Sequence, residues 1–321
     1  MIADLSIIIV NWNGGLFLRR CIESIVNNNI GVSYDIIVVD NASSDESPDW
    51  LSSDEARDLL GAVPLRLMRN RENVGFGRAN NQAFQLSKAP FLFLVNPDTE
   101  VLPNAIDKLS STLQSDHKIG ACGPRLLNQD GSLQPSVWHN PPSAWRTLLW
   151  GLKLYRLIPP RLRGEILLHT FWEHDRQRDV KSLSGAAIML KRKLIDSIGG
   201  FDERFYMYGE DVEFCFRTIT AGWRIVFEPE AEVIHYGGKS ASQKWECAAK
   251  SAKEFEGFAQ FQLLCLPLPR VLRLAVAECL IYGLLWICRK VRGQPTAEVK
   301  AALQVRLQHA RRVFHKIRIS I

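Results

Sequence analysis

Residues 91–102 read Phe-Leu-Phe-Leu-Val-Asn-Pro-Asp-Thr-Glu-Val-Leu and place the carboxylate of Asp98 just past a short apolar run. Phe91 to Val95 has the length and continuity of a strand buried on both faces. Asn96-Pro97-Asp98 ends it, because proline donates nothing to a ladder. Ligands of open α/β sheets sit at this carboxyl end of the strands. Asp98 is therefore a candidate ligand for a divalent cation, or a turn residue capping a helix that starts near Pro103. Other polar groups recur at the same kind of position. Asn11 and Asn13 follow the run Leu5–Val10, and Asp40 with Asn41 follows Ile36–Val39. Glu210 and Asp211 open a helical pattern carried by Val212, Phe214, Cys215 and Ile219, where a helix dipole favours anions. Those two acids serve chemistry or cap the helix.

The elements that position these groups alternate. Strand patterns at 5–10, 36–39, 65–68 and 91–95 are separated by helical patterns at 16–26, 49–60 and 76–86. That order implies an α/β fold with a mostly parallel sheet flanked by helices. Ala121–Leu127 followed by Asn-Gln-Asp-Gly131 reads as a strand and a tight hairpin turn. Leu183–Leu190 is a further apolar strand, and Ser184-Gly185-Ala186 at its start lets backbone approach closely. Arg224–Phe227 reads as the last strand, with Glu232–His235 and Gly238 following. No G-x-G-x-x-G follows the first strand and no G-x-x-x-x-G-K-[ST] occurs anywhere, so neither phosphate-binding signature is present. Gly75-Phe76-Gly77 is a weaker glycine-rich turn, with phosphate contact and a plain helix start both open.

Composition adds limits. The 321 residues are 46% hydrophobic and 23% charged, which excludes disorder and allows one large domain with an appendage. Seven cysteines without paired or metal-ligand spacing point to free thiols in a reducing compartment. The first residues run straight into a strand pattern, without the basic start of a signal peptide. The formal charge of +6 is uneven: residues 289–321 carry +8, leaving −2 for the rest. Such a tail fits an anionic surface. Its aromatic content is low (Trp286, Phe314), which argues against nucleic acid.

Taken together, Ser6-Ile-Ile-Ile-Val-Asn-Trp-Asn13, Val38-Val-Asp40-Asn-Ala-Ser-Ser-Asp45, Asn73-Val-Gly-Phe-Gly-Arg-Ala-Asn80, Asn96-Pro-Asp98, Ser184-Gly-Ala-Ala187, Gly209-Glu-Asp-Val-Glu213, Gly222-Trp223 and His235 resemble the inverting family 2 glycosyltransferases of GT-A fold, and within them the rhamnosyltransferase-like branch. The likeness covers roughly residues 4–240. It implies transfer of a sugar, best L-rhamnose from dTDP-rhamnose, to a glycan or polyprenyl-linked acceptor of cell-surface polysaccharide synthesis. It implies donor contacts at Asn11, Asn13, Asp40, Asn41, Asn73, Arg78, Asn96 and Gly185. Asp98 and His235 become ligands of Mg²⁺ or Mn²⁺, hard ions that also keep waters and substrate phosphates. Asp211 becomes the general base, with Glu210 beside it to tune its pKa or orient the acceptor. The family often has an acid where this chain has Asn96, which makes metal affinity more dependent on the donor diphosphate.

The resemblance divides the chain into a catalytic domain at 1–260 and a helical, membrane-associating region at 261–321. The apolar stretch 272–288 contains Arg273 and Glu278. A span needs about 20 apolar residues, and a central acid costs about 2.5–3.5 kcal/mol on insertion scales. A helix lying on the cytoplasmic face of the inner membrane, followed by a basic helix over 296–318, is the expected arrangement. Residues 144–158 read as a basic amphipathic helix, interfacial or packed on the body. A nucleotidyltransferase on a similar sheet is the alternative enzyme, but it expects a cation in the loop after the first strand, where Asn-Trp-Asn-Gly-Gly has none. A non-catalytic membrane-surface module is the alternative without chemistry.

Overall fold

β-Branched and aromatic runs build the first strands, and each ends at a polar residue. The computed structural model describes residues 2–28, 31–168, 171–237 and 247–320, so Gly238 lies outside them. By contacts the chain forms two compact units: Met1–Trp138 with Glu173–Lys244, and His139–Trp172 with Trp245–Ile321.

In the first unit, β1 (Leu5–Asn11) pairs in parallel with β2 (Tyr34–Asp40), which brings Asn11 level with Asp40. β3 (Leu65–Arg69) continues the sheet beyond β2, and β4 (Phe91–Val95) lies along the other side of β1. Helix α1 (Gly15–Val26) buries Leu18, Cys21, Ile22 and Ile25, one face at helical spacing. The helix expected over 49–60 is two helices, α2 (Ser47–Trp50) and α3 (Asp54–Leu60). Ser53 breaks it: its hydroxyl accepts the Ala56 N–H at 3.2 Å and caps α3. Helix α4 (Phe76–Leu86) starts after Gly75, whose φ of +89° is open to glycine at little cost.

Beyond β4 the sheet becomes mixed. β5 (Thr99–Val101) is followed by α5 (Ala105–Ser115), β6 (Ile119–Leu127) and β7 (Leu133–Gln134). After β8 (Arg178–Val180), β9 (Ala187–Lys191) runs antiparallel to β4 and β6 in the middle of the sheet. Its side chains are buried on both faces, so the sequence pattern carries no sign of its direction. Helices α8 (Arg192–Ile198) and α9 (Glu210–Thr220) lead to β10. β10 spans Arg224–His235 as one strand, with a register shift at Glu228–Glu232 that accommodates Pro229. The strand order is β3-β2-β1-β4-β9-β6-β10-β5, with β7 on β6 and β8 on β10. The antiparallel pairing of β10 with β5 sets His235 opposite Thr99.

The second unit is helical. It contains α6 (Ala144–Gly151), a 3₁₀ turn at Leu154–Leu157, α7 (Pro160–Leu167), α10 (Cys247–Cys265), α11 (Leu268–Val291) and α12 (Ala297–Ser320). The single helix expected over 144–158 stops near Gly151, and Lys153 takes a left-handed conformation at φ +57°. Gly151 lies so close to Ile281 of α11 that a side chain would collide with it. One face of α11 (Val271, Leu274, Ala275, Ile281) is buried within the unit. Glu278 shares that side of the helix. Burial raises its pKa, countered by Arg306 and by a hydrogen bond from Gln262. Arg306 of α12 lies 3.7 Å from the Tyr282 ring and 4.3 Å from that of Phe255, a cation–π sandwich joining three helices. The opposite face of α11 leaves Val276, Leu280, Leu284, Ile287 and Val291 exposed. By length and composition alone, α11 is long and apolar enough to cross a membrane.

Candidate active site

The paired ends of β1 and β2 form one wall. The Asp40 carboxylate is buried and accepts Asn11 Nδ2 at 2.9 Å, the Ser43 hydroxyl at 2.6 Å and the Ser43 N–H at 3.1 Å. Charge-assisted bonds of this kind offset the cost of burying a carboxylate. Asn11 Oδ1 is buried without a hydrogen-bond partner and lies against Gly14, where a side chain would collide with it. Asn13, at φ +50°, is stitched to the loop after β2: its N–H donates to Ser43 Oγ at 2.9 Å and its Oδ1 accepts the Ser44 N–H at 2.8 Å. Asn41 Oδ1 accepts the Val74 N–H at 3.0 Å, while its Nδ2 donates to Asn73 Oδ1 at 3.0 Å. Asn41 and Asn73 thus hold the 70–75 loop beside the strand ends.

The second wall holds Asp98 and His235. The backbone closes their sequence separation, since Tyr236 N–H donates to the Asp98 carbonyl at 2.9 Å. His235 Nε2 stands 3.4 Å from Asp98 Oδ1, both side chains mostly buried. That separation is an ion-pair contact, yet Nε2 makes no hydrogen bond. The other ring nitrogen, Nδ1, lies 2.6 Å from Gln134 Oε1. A nitrogen and an oxygen facing the same space without bonding each other suit a hard cation with mixed imidazole and carboxylate ligands. Among the described residues no group of three or more His, Cys, Asp or Glu could hold a metal. A cation held by this pair would need its remaining ligands from outside these two side chains. Asn96 contributes backbone: its N–H donates to the Ala186 carbonyl at 2.9 Å, and its carbonyl accepts the Thr99 hydroxyl at 2.7 Å.

The third component is the start of α9. Tyr208 and Gly209 both have positive φ, +69° and +92°, and this turn presents Glu210 and Asp211 at the helix N-terminus. Asp211 Oδ2 accepts the Gly185 N–H at 3.1 Å and Oδ1 the Val212 N–H at 2.8 Å. Burial raises the Asp211 pKa, and these backbone donors pull it back. Glu210 is buried, with Oε2 unpartnered. Burial first, and the neighbouring Asp211 second, push its pKa up to about 8. Gly185 precedes Ala186, which accepts from Asn96, so Asp98 and Asp211 attach to the same sheet edge through adjacent backbone.

Arg78, expected on the donor side, lies near the start of α4. It is exposed on α4, 3.6 Å from Glu203. Two residues that sequence reasoning did not single out belong to the site. Ser43, which ties Asn11, Asn13 and Asp40 together, lay inside a quoted motif. Gln134 carries no signal, because it follows a hairpin and meets His235 only through the fold.

A mixed sheet whose strand ends gather these polar groups under a helix N-terminus bearing paired acids defines a GT-A glycosyltransferase. Residues 6–199 match glycosyl transferase family 2, and the chain belongs to that family. It is 28% identical over 267 residues to the N-acetylglucosaminyl-diphospho-decaprenol L-rhamnosyltransferase of Mycobacterium tuberculosis, covering 74% of this chain and 78% of that protein. It is also 28% identical to a low-salt glycan biosynthesis hexosyltransferase of Haloferax volcanii, over 68% of this chain and 62% of that one. Among solved structures, GalNAc-T7 with UDP, GalNAc and Mn²⁺ superposes with a TM-score of 0.57 at 14% identity, covering 99% of this chain and 57% of that one. The mannosyltransferase PcManGT of Pyrobaculum calidifontis with GDP-Man and Mn²⁺ gives 0.56 at 15% identity, over 96% and 74% of the two chains. These structural likenesses show the fold.

Proposed function

We propose that this glycosyltransferase is inverting and metal-dependent, and that it moves L-rhamnose from a nucleoside diphosphate donor to a lipid-linked glycan acceptor. The carrying observation is the shared edge. His235 Nε2 stands 3.4 Å from Asp98 Oδ1, and Asp211 accepts the Gly185 N–H, one residue before the Ala186 carbonyl that takes the Asn96 N–H. Asp98 and His235 would hold Mg²⁺ or Mn²⁺, which offsets the charge appearing on the departing diphosphate. Asn11, Asn13 and Asp40 line the nucleotide side, with Asn41 and Asn73 shaping its loop. Asp211 takes the proton of the acceptor hydroxyl. The hydroxyl oxygen forms its bond to the anomeric carbon from the face opposite the diphosphate, whose bond to that carbon breaks. Glu210, whose pKa burial pushes up to about 8, stands beside that base. The choice of rhamnose and of a lipid-linked acceptor follows the mycobacterial relative named above.

The second unit supports binding to an anionic membrane face. Residues 289–321 carry +8, and the Val276, Leu280, Leu284, Ile287, Val291 stripe lies open along α11. Glu278 faces the helices of the unit instead of that stripe, which favours a helix lying on the membrane over a span.

The test is release of nucleoside diphosphate from a panel of sugar nucleotides, with and without Mn²⁺, by wild type and Asp211→Asn. Turnover falling about 10²–10⁴-fold with nucleotide binding retained is expected. Unchanged turnover in Asp211→Asn removes that residue from its role.

A further inference from the structure

We propose that Gln134 is a positioning residue that fixes the tautomer of His235, so that the Nε2 lone pair faces Asp98. The use of that lone pair rests on the metal-binding reading given above.

The argument starts from the amide. Gln134 Nε2 donates to the His235 backbone carbonyl at 3.1 Å and to Asn128 Oδ1 at 2.9 Å. A backbone carbonyl only accepts, so the NH₂ group must be on that side. Flipping the amide would set oxygen against oxygen and lose the bond. Gln134 Oε1 is therefore the atom that meets His235 Nδ1 at 2.6 Å, and it requires a proton on Nδ1. A neutral imidazole with its proton there has its lone pair on Nε2, 3.4 Å from Asp98 Oδ1 without a hydrogen bond, so those two acceptors need a cation between them. Were Nε2 to carry the proton instead, both Gln134 Oε1 and the Nδ1 lone pair would be acceptors at 2.6 Å, which is repulsive.

The fold delivers Gln134 for this purpose by register. β7 pairs with β6 so that Gln134 lies level with Leu126, and β6 pairs with β10 so that Leu127 lies level with Ile234. The hairpin 128–132 is itself fixed: Asn128 N–H accepts no slack, donating to the Ser132 carbonyl at 2.8 Å, while Gly131 N–H returns to the Asn128 carbonyl at 2.9 Å. One amide thus grips both the ring and the backbone of His235. Partners of this kind set ring orientation and ligand basicity in metal sites, and their loss typically costs roughly 10–100-fold in metal affinity.

The experiment uses the full chain, labelled with ¹⁵N-histidine, with wild type, Gln134→Leu and Gln134→Glu compared without metal and then titrated with Mn²⁺ alone. In the metal-free wild type the imidazole nitrogens of His235 should show a protonated Nδ1 and an unprotonated Nε2. Gln134→Leu should move the ring toward the Nε2–H tautomer that a free imidazole prefers, and weaken Mn²⁺ binding by about tenfold or more. Gln134→Glu keeps an acceptor facing Nδ1, so Nδ1 should stay protonated, but it loses the donor to the His235 carbonyl and should loosen the ring. A tautomer unchanged in Gln134→Leu, or a wild-type ring that is doubly protonated against Asp98, overturns the assignment. If the tautomer responds as stated while wild type binds no Mn²⁺, the positioning role stands and the metal-dependent mechanism fails.

Discussion

The two adjacent acids at the head of α9 sit in different surroundings. Asp211 has two backbone donors, whereas Glu210 has an unpartnered oxygen in a buried setting. The Glu210 carboxyl is pushed from an ordinary 4.5 up to about 8, chiefly by burial. Between those values the folded chain binds a proton that the unfolded chain has released. Stability from this group is therefore present below the lower value and is lost as pH rises through the window, by up to ~1.4 kcal/mol per pH unit. Glu210→Gln, a neutral isostere, should flatten that slope in urea unfolding followed from pH 5 to 8, and keep turnover at pH 7 within about tenfold of wild type. An unchanged slope would mean that Glu210 is ionised in the folded protein. The acids and the strand-end asparagines stood out because their types recur where apolar runs stop, whereas His235 was read only from the resemblance. Gln134 did not stand out, since a polar residue after a hairpin has no pattern until β6 joins β7 to β10. Arg78 was legible only by resemblance, and its guanidinium stands exposed beside Glu203.

Elements were legible where burial leaves a periodic trace. The strands at 5–11, 34–40 and 91–95 end where their apolar runs end, and α1 and α9 show their buried faces at helical spacing. Direction and continuity were not: β9 is apolar on both faces whichever way it runs, and β10 continues through Pro229 by shifting register. A turn position gives a sharper test of element placement. Gly75, at φ +89°, sits where a side chain would strike the Tyr206 carbonyl, which accepts the Phe76 N–H at 3.2 Å. Gly75→Ala should cost about 1–3 kcal/mol in backbone strain and shift the 201–209 segment that presents Glu210 and Asp211. A lower urea midpoint together with weaker acceptor turnover is expected; an unchanged midpoint would refute the packing. On α11, Leu280 and Leu284 are exposed within the apolar stripe. Burying a leucine is worth about 1.5–3 kcal/mol, so Leu280→Glu with Leu284→Glu should abolish flotation with anionic vesicles while the far-ultraviolet circular dichroism stays that of wild type. Binding that persists in the double variant would point to another face.

At the scale of the molecule, all the groups assigned to donor and metal lie in the first unit, and ligand binding there is read out as stability of the native chain. On the proposed reading, Asp98 and His235 alone would hold Mn²⁺ weakly, and a diphosphate alone would meet the carboxylate of Asp98. Each should therefore strengthen the other by the same factor, as linkage requires. A single ligand at about 100 times its Kd stabilises by about 2.7 kcal/mol. Thermal unfolding should then show small shifts with Mn²⁺ or nucleoside diphosphate alone and, with both, a shift larger than their sum. Asn96→Asp adds a second carboxylate, which should raise the effect of Mn²⁺ by itself and shrink the synergy; His235→Ala should remove the Mn²⁺ effect while leaving that of the nucleotide. Strictly additive shifts in the wild type would separate the metal from the diphosphate, and with it Asp98 and His235 from the leaving group they are assigned to serve.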